Sequence, residues 1–93
     1  MKFTKENLAA EIAGKIENEK EYYSTISDEI DFDNGVVVWV DLIYDGHMGF
    51  ADEWNFSWCD IKSIEVYHED PSEDFVFNTD ELIEMEELVK LWM

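Results

Sequence analysis

The sequence contains no arginine and only six lysines, against 24 aspartate and glutamate residues. The formal net charge is -18 at pH 7 in a chain of 93 residues. A surface this negative repels nucleic acids and anionic membranes and attracts basic molecules. The composition therefore excludes direct binding to nucleic acid or to a membrane surface, and it predicts a partner protein with a basic surface.

Cysteine and long apolar segments are also scarce. The single cysteine, Cys59, cannot form an internal disulfide, so nothing in the sequence indicates an oxidising compartment. No apolar run reaches the length of about 18 residues that a membrane span needs. Residues 1–13 lack the basic and apolar regions of a signal peptide. We expect a cytoplasmic protein.

Residues that commonly bind metals or perform catalysis are few. Cys59, His47 and His68 are the only soft metal ligands, and they lack the paired spacing of zinc sites. A calcium loop around Gly35 is excluded, because its first ligand position would fall on Ile30. The chain has no nucleophile elbow and no phosphate-binding glycine loop. We predict a protein that is not an enzyme and that has no catalytic, metal or cofactor site.

Apolar residues, in contrast, are abundant enough for a core. Hydrophobic residues make up 46% of the chain and aromatic residues 15%. A disordered acidic tail carries much less apolar material, so this chain is expected to fold. Its length suits one small domain, and we assign residues 1–93 to it.

Two segments have the apolar periodicity of amphipathic helices. The first begins after Thr4 as N-cap and runs to about Lys20, and Gly14 is expected to weaken it. The second begins after Asn78 or Thr79. Their predicted buried faces are Leu8, Ala9, Ile12, Ala13 and Ile16 in the first helix, and Leu82, Met85, Leu88, Val89 and Trp92 in the second.

Between the helices, apolar and polar residues alternate with the period of β-strands. The alternation predicts strands over residues 22–32, 36–44, 50–58 and 61–68. Asn34-Gly35 favours a hairpin turn after the first strand, and residues 45–49 form the next predicted turn. The predicted fold is α+β, with an N-terminal helix, a four-stranded antiparallel meander and a C-terminal helix packed on the sheet.

The second predicted strand is apolar on both faces, since Val37, Trp39 and Ile43 alternate with an equally apolar set. Either the two helices cover opposite faces of the sheet, or Val37, Trp39 and Ile43 form a patch for a partner or a second copy. We expect helix cover. The aromatic residues of the third strand are expected to pack beneath the helices; they are Phe50, Trp54, Phe56 and Trp58.

The carboxylates are concentrated in the C-terminal part of the chain. Residues 1–40 contain nine acids and four lysines, whereas residues 41–93 contain fifteen acids and two lysines. Carboxylates two apart on a strand or three to four apart on a helix form rows of anions about 5 to 7 Å apart. The predicted partner-binding residues are Asp52, Asp60, Glu69, Asp70, Glu73, Asp74, Asp80, Glu81, Glu84 and Glu87.

In size, charge and alternation of helices with a small antiparallel sheet, the chain resembles small acidic proteins of phages and mobile elements. These are the DNA mimics and the anti-CRISPR and anti-restriction inhibitors. The resemblance covers the whole chain in outline and assigns no functional residue. It implies a stoichiometric inhibitor that occupies the basic groove of a nucleic-acid-binding host protein. The alternative is a structural or interaction module that forms a homodimer through an apolar sheet face, with charge serving solubility.

Overall fold

The computed structural model describes the whole chain, from Met1 to Met93. Its strands form one antiparallel sheet in the order β1-β2-β3-β4, with a helix before and a helix after the sheet. The predicted α+β layout is therefore confirmed. Neither helix has the length and apolar character that crossing a lipid bilayer requires. The elements are α1 (Lys5–Glu19), β1 (Ser24–Asp31), β2 (Val37–Met48), β3 (Trp54–Tyr67), β4 (Phe75–Val76) and α2 (Thr79–Trp92).

Both helices begin at the predicted caps. The Thr4 side chain accepts a hydrogen bond from the Asn7 backbone N–H at 3.0 Å, at the start of α1. At the start of α2, Asn78 and Glu81 form a reciprocal capping box. The predicted burial of Trp92 is wrong, because α2 ends there and leaves this side chain 59% exposed.

The sheet has four strands, but two predicted boundaries are wrong. Residues 45–48 do not form a turn, because they continue β2 and pair with β3, and the reversal occurs at Phe50–Asp52. The predicted strands 50–58 and 61–68 belong largely to one strand, β3, which continues through Cys59-Asp60. The β2–β3 register shifts between Asp41 and Leu42 and again between Asp45 and Gly46, and at each place β3 has one more residue than β2. Pairing between the strands therefore overrides the local preference for a turn. The fourth strand is the two-residue β4.

Both helices pack on the same face of the sheet, so the expected cover of both faces is wrong. Lys5 on α1 lies 3.0 Å from Glu84 and 3.7 Å from Glu81 on α2, which places the helices side by side. Each helix buries only a narrow stripe, and the two stripes together are needed to cover one sheet face. The strand residues buried beneath them are Ile26, Ile30, Val38, Val40, Leu42, Tyr44, Ile61, Ile64 and Val66.

The aromatic residues near the second hairpin are divided between environments. Trp54 and Phe56 pack against the core as expected. Phe50 lies in the turn and is 98% exposed, and Trp58 is 41% exposed, so their predicted burial is wrong. Phe56 pairs with Gly46 while Trp58 pairs with the preceding residue, Asp45. This irregularity places Trp58 on the opposite face from Phe56, because one extra residue reverses the side-chain alternation.

Candidate protein-binding surface

The sheet face opposite the helices is uncovered, and we call it the open face. Residues paired directly across antiparallel strands project to the same side of a sheet. The register therefore assigns five rows to this face. From one end to the other they are Asp31–Val37–Tyr67, Glu29–Trp39–Glu65, Ser27–Asp41–Ser63, Thr25–Ile43–Asp60 and Asp45–Trp58.

Six of these residues are carboxylates. Four lie on β1 and β3, on either side of the central strand, and two, Asp41 and Asp45, lie on the central strand β2 itself. Trp39 lies between Glu29 on β1 and Glu65 on β3 in the same row. Lys62 is the one cation that pairs with a carboxylate of the open face, with Nζ 2.6 Å from Asp60 Oδ2. The open face is therefore anionic along both edges, and its middle strand carries Val37, Trp39 and Ile43 together with two carboxylates.

Hydrogen bonds from uncharged donors hold three more of these carboxylates in place. Ser27 Oγ donates to Asp41 Oδ1 at 2.9 Å across β1 and β2. Asp45 Oδ1 accepts the Tyr23 backbone N–H at 2.9 Å. The Tyr67 hydroxyl donates to Glu65, and this hydrogen bond raises the pKa of Tyr67.

Exposed aromatic rings extend the open face beyond the end of β1. Tyr23 precedes β1, is exposed, and packs edge-on against Trp58 with ring centroids 6.1 Å apart. Trp39 and Tyr67 are each about two-fifths exposed, at 39% and 43%. Aromatic rings of this kind contribute strongly to binding energy when a partner buries them.

The loop residues predicted for partner binding lie together between β3 and β4, and all are exposed. Asp70 accepts hydrogen bonds from the backbone N–H and the hydroxyl of Ser72, and these bonds lower the pKa of Asp70. Asp74 accepts the His68 backbone N–H at 2.7 Å. Glu69 and Glu73 complete this group, so the loop presents four carboxylates at one end of the sheet.

The predicted residues of α2 lie close to this loop in the chain. Asp80, Glu84 and Glu87 are exposed and share one side of the helix by their spacing. Glu81 and Glu84 are also the residues that face Lys5, so two of the four predicted helix carboxylates lie near a cation.

The other two predicted residues lie elsewhere. Asp52 is in the β2–β3 turn, separated from the acidic loop by the length of β3, roughly 40 Å at about 3.3 Å per residue. Asp60 belongs to the open face. The other five carboxylates of that face are not among the predicted partner-binding residues, although each alternates with the buried residues of its strand; they are Glu29, Asp31, Asp41, Asp45 and Glu65.

A shallow cleft of about 100 Å³ lies between β3 and α2, and Cys59 is part of its lining. Burial raises the pKa of the Cys59 thiol to about 12, and the nearby Glu86 and Asp60 carboxylates act in the same direction. The thiol is therefore protonated at neutral pH and is a poor nucleophile. His47 Nδ1 lies 2.7 Å from Ser57 Oγ, and His68 Nδ1 lies 3.6 Å from Glu73 Oε2. Cys59 and the two histidines therefore each contact different residues.

Comparison with protein-family models, with curated proteins and with solved structures gave no match to this chain. The two extended anionic regions are the open face and the acidic loop with α2.

Proposed function

We propose that this protein is a non-enzymatic binding protein whose anionic surface docks on a basic protein and takes the place of nucleic acid there. The observation that carries the proposal is the open face, where six carboxylates lie beside and between apolar side chains and one lysine pairs with one of them. Elsewhere, two further lysines, Lys5 and Lys15, each pair with a carboxylate. The excess negative charge is thus left available to a partner.

The arrangement of the carboxylates supports replacement of a nucleic acid. Rows of the open face are about 6.8 Å apart along a strand, and neighbouring strands are about 4.8 Å apart. The negative charges therefore form an extended band on a molecule whose longest dimension is 49 Å. A basic groove that binds a phosphate backbone is attracted to such a band by the same electrostatic forces.

Self-association through the open face is less favourable. Two copies facing each other would bring carboxylates such as Glu29 and Glu65 against carboxylates of the same kind. Like charges brought together at an interface cost several kcal/mol. The charge of the open face therefore favours a basic partner over a second copy.

The biological consequence we propose is inhibition of a nucleic-acid-binding protein, as in the acidic phage and mobile-element proteins that the chain resembles. Inhibition follows if the basic groove cannot hold nucleic acid and the anionic protein at once. Binding of this kind is fast and strongly weakened by salt.

The proposal is tested by immobilising the folded protein and passing cell lysate over it at low salt. We expect basic proteins to be retained and then released by a DNA duplex or by about 0.5 M NaCl, where screening shortens electrostatic forces to a few ångströms. The control is immobilised polyglutamate of the same formal charge, -18. Proteins that bind both matrices equally respond to charge alone. The proposal would be refuted if DNA released no protein from the matrix that carries the folded protein.

A further inference from the structure

The central strand of the open face carries three apolar side chains that no part of the chain covers. Asp41, between Trp39 and Ile43, is the one carboxylate among them, and it accepts a hydrogen bond from Ser27. Val37, Trp39 and Ile43 project from β2 on this face, and Trp39 keeps 39% of its surface exposed. Side chains on the two neighbouring strands border the apolar strip. The carboxylates among them are Glu29, Asp31, Asp60 and Glu65.

We propose that the open face is the docking surface and that its occupant is a basic amphipathic helix of the partner protein. This inference rests on the proposed function. It places the contact with the partner on the open face and not on the acidic loop or α2. Apolar side chains of the bound helix pack on Trp39 and Ile43. Its lysine and arginine side chains reach the carboxylates on both sides.

The dimensions of the open face match one helix. The columns on β1 and β3 are roughly 10 Å apart, which is twice the strand spacing, and a helix with its side chains is about 10 to 12 Å wide. The five rows extend over roughly 27 Å, which corresponds to about 18 residues of helix. One bound helix therefore reaches both acidic columns along most of its length.

Trp39 is the expected centre of this contact. A lysine or arginine beside its indole ring gains a cation–π interaction, and Glu29 and Glu65 in the same row are the nearest acceptors for its N–H groups. Lys62, the lysine that pairs with a carboxylate of the open face, is bound to Asp60 two rows further along. No cation of the chain pairs with a carboxylate in the row of Trp39, where Glu65 accepts a hydrogen bond from the neutral Tyr67 hydroxyl.

Charge also distinguishes this occupant from the alternatives. A second copy of the chain would oppose the open face with the same carboxylates. An anionic bilayer is repelled by a protein of net charge -18. A helix that combines apolar and basic faces satisfies both the centre and the borders of the surface.

The test uses a synthetic peptide of about 18 residues with leucine on one helical face and lysine on the other, and a scrambled peptide of identical composition. Both have the same charge, so a difference in affinity reports the amphipathic pattern. We expect the native protein to bind the patterned peptide at least about tenfold more tightly, as measured by titration calorimetry. Trp39→Ser should remove this preference. Trp92→Ser, which alters an exposed tryptophan of α2, should retain it.

A second comparison separates location from total charge. Glu29→Lys with Glu65→Lys changes the open face, and Glu69→Lys with Asp70→Lys changes the loop by the same charge. We expect the first pair to weaken peptide binding at least about tenfold more than the second. Equal losses would overturn the inference, since they would show that binding depends on charge without regard to place.

The outcomes distinguish this inference from the proposed function. If the native protein binds neither peptide, the proposed function fails as well. If it binds them and Trp39→Ser keeps the preference, the inference alone fails. A dimer in light scattering that Trp39→Ser dissociates would make a second copy the occupant and would also overturn the inference. If circular dichroism shows that Trp39→Ser is unfolded, Ile43→Thr replaces it, because threonine retains strand propensity.

Discussion

The indole ring of Trp54 lies against Gly46, in the space that a side chain at Gly46 would occupy. Gly46 is buried on β2 and Trp54 is on β3, where its Nε1 donates to the Glu21 backbone oxygen at 3.1 Å. This hydrogen bond connects the second hairpin to the segment between α1 and β1. Glycine is required at position 46 because the Trp54 ring lies so close to the backbone there that a side chain would clash with it.

Gly46→Ala is expected to lower the free energy of unfolding by about 1 to 3 kcal/mol, because the new methyl group displaces the Trp54 ring. Denaturant unfolding measures this change. The double variant Gly46→Ala/Trp54→Ala provides the control, since the loss caused by Gly46→Ala should shrink once the indole is absent. An unchanged loss in the Trp54→Ala background would show that the two residues are not coupled.

Gly14→Ala should have the opposite effect. Gly14 lies inside α1, and no atom outside the helix backbone lies within 4 Å of the position of an added Cβ. Alanine therefore gains helix propensity without a clash, and we expect an increase of about 0.5 to 1 kcal/mol in the free energy of unfolding. A decrease would contradict the open environment of Gly14.

The ion pair between Lys15 and Asp28 predicts a stability change that depends on pH. Lys15 Nζ donates to Asp28 Oδ2 at 2.7 Å, and this bond, followed by the Glu29 backbone N–H, lowers the pKa of Asp28 below its usual 3.8. A lowered pKa in the folded state means that the contribution is present at neutral pH and is lost as the pH falls below about 3.8. Asp28→Asn should therefore lower Tm at pH 7 and lower it less at pH 2.

Asp31→Asn is the matched control for this pair, because Asp31 is an exposed carboxylate of the same strand that pairs with no cation. Its removal reduces repulsion and should not lower Tm at pH 7. Thermal unfolding followed by circular dichroism compares the two variants. Equal losses at both pH values would argue against the ion pair as the cause.

Added salt is expected to raise Tm. The net charge of -18 destabilises the folded state through repulsion, and salt screens this repulsion over about 10 Å at 0.1 M. Melting curves at about 20 mM and about 300 mM NaCl measure the effect, with a neutral osmolyte of matched osmolality as control. A Tm that stays constant or falls in salt would show that repulsion between the carboxylates is not a major contribution to the stability of the folded state.

The sequence was sufficient to predict the helices because their signals are local. Thr4 and Asn78 are caps whose hydrogen bonds reach only three residues along the chain. The hairpin at Asn34-Gly35 is equally local, and both residues adopt the positive φ expected of them. These elements follow from contacts between near neighbours.

The candidate site was harder to predict because it depends on pairing between strands. Trp58 was assigned to the buried face by its alternation with Trp54 and Phe56, but the register irregularity next to Asp45 turns it to the open face. The place of Glu29 beside Trp39 likewise depends on register. A list of acidic residues by position in the chain does not contain this information.

The sequence by itself determined the sign and excess of charge, the helix caps and the order of helices and strands. Only the tertiary structure decided that both helices cover the same face and leave Trp39 exposed among carboxylates. The physical reason is that charge and capping are properties of residues and their near neighbours. Which face of a two-sided apolar strand is covered depends on how distant elements pack, and the alternation of β2 is compatible with cover on either side.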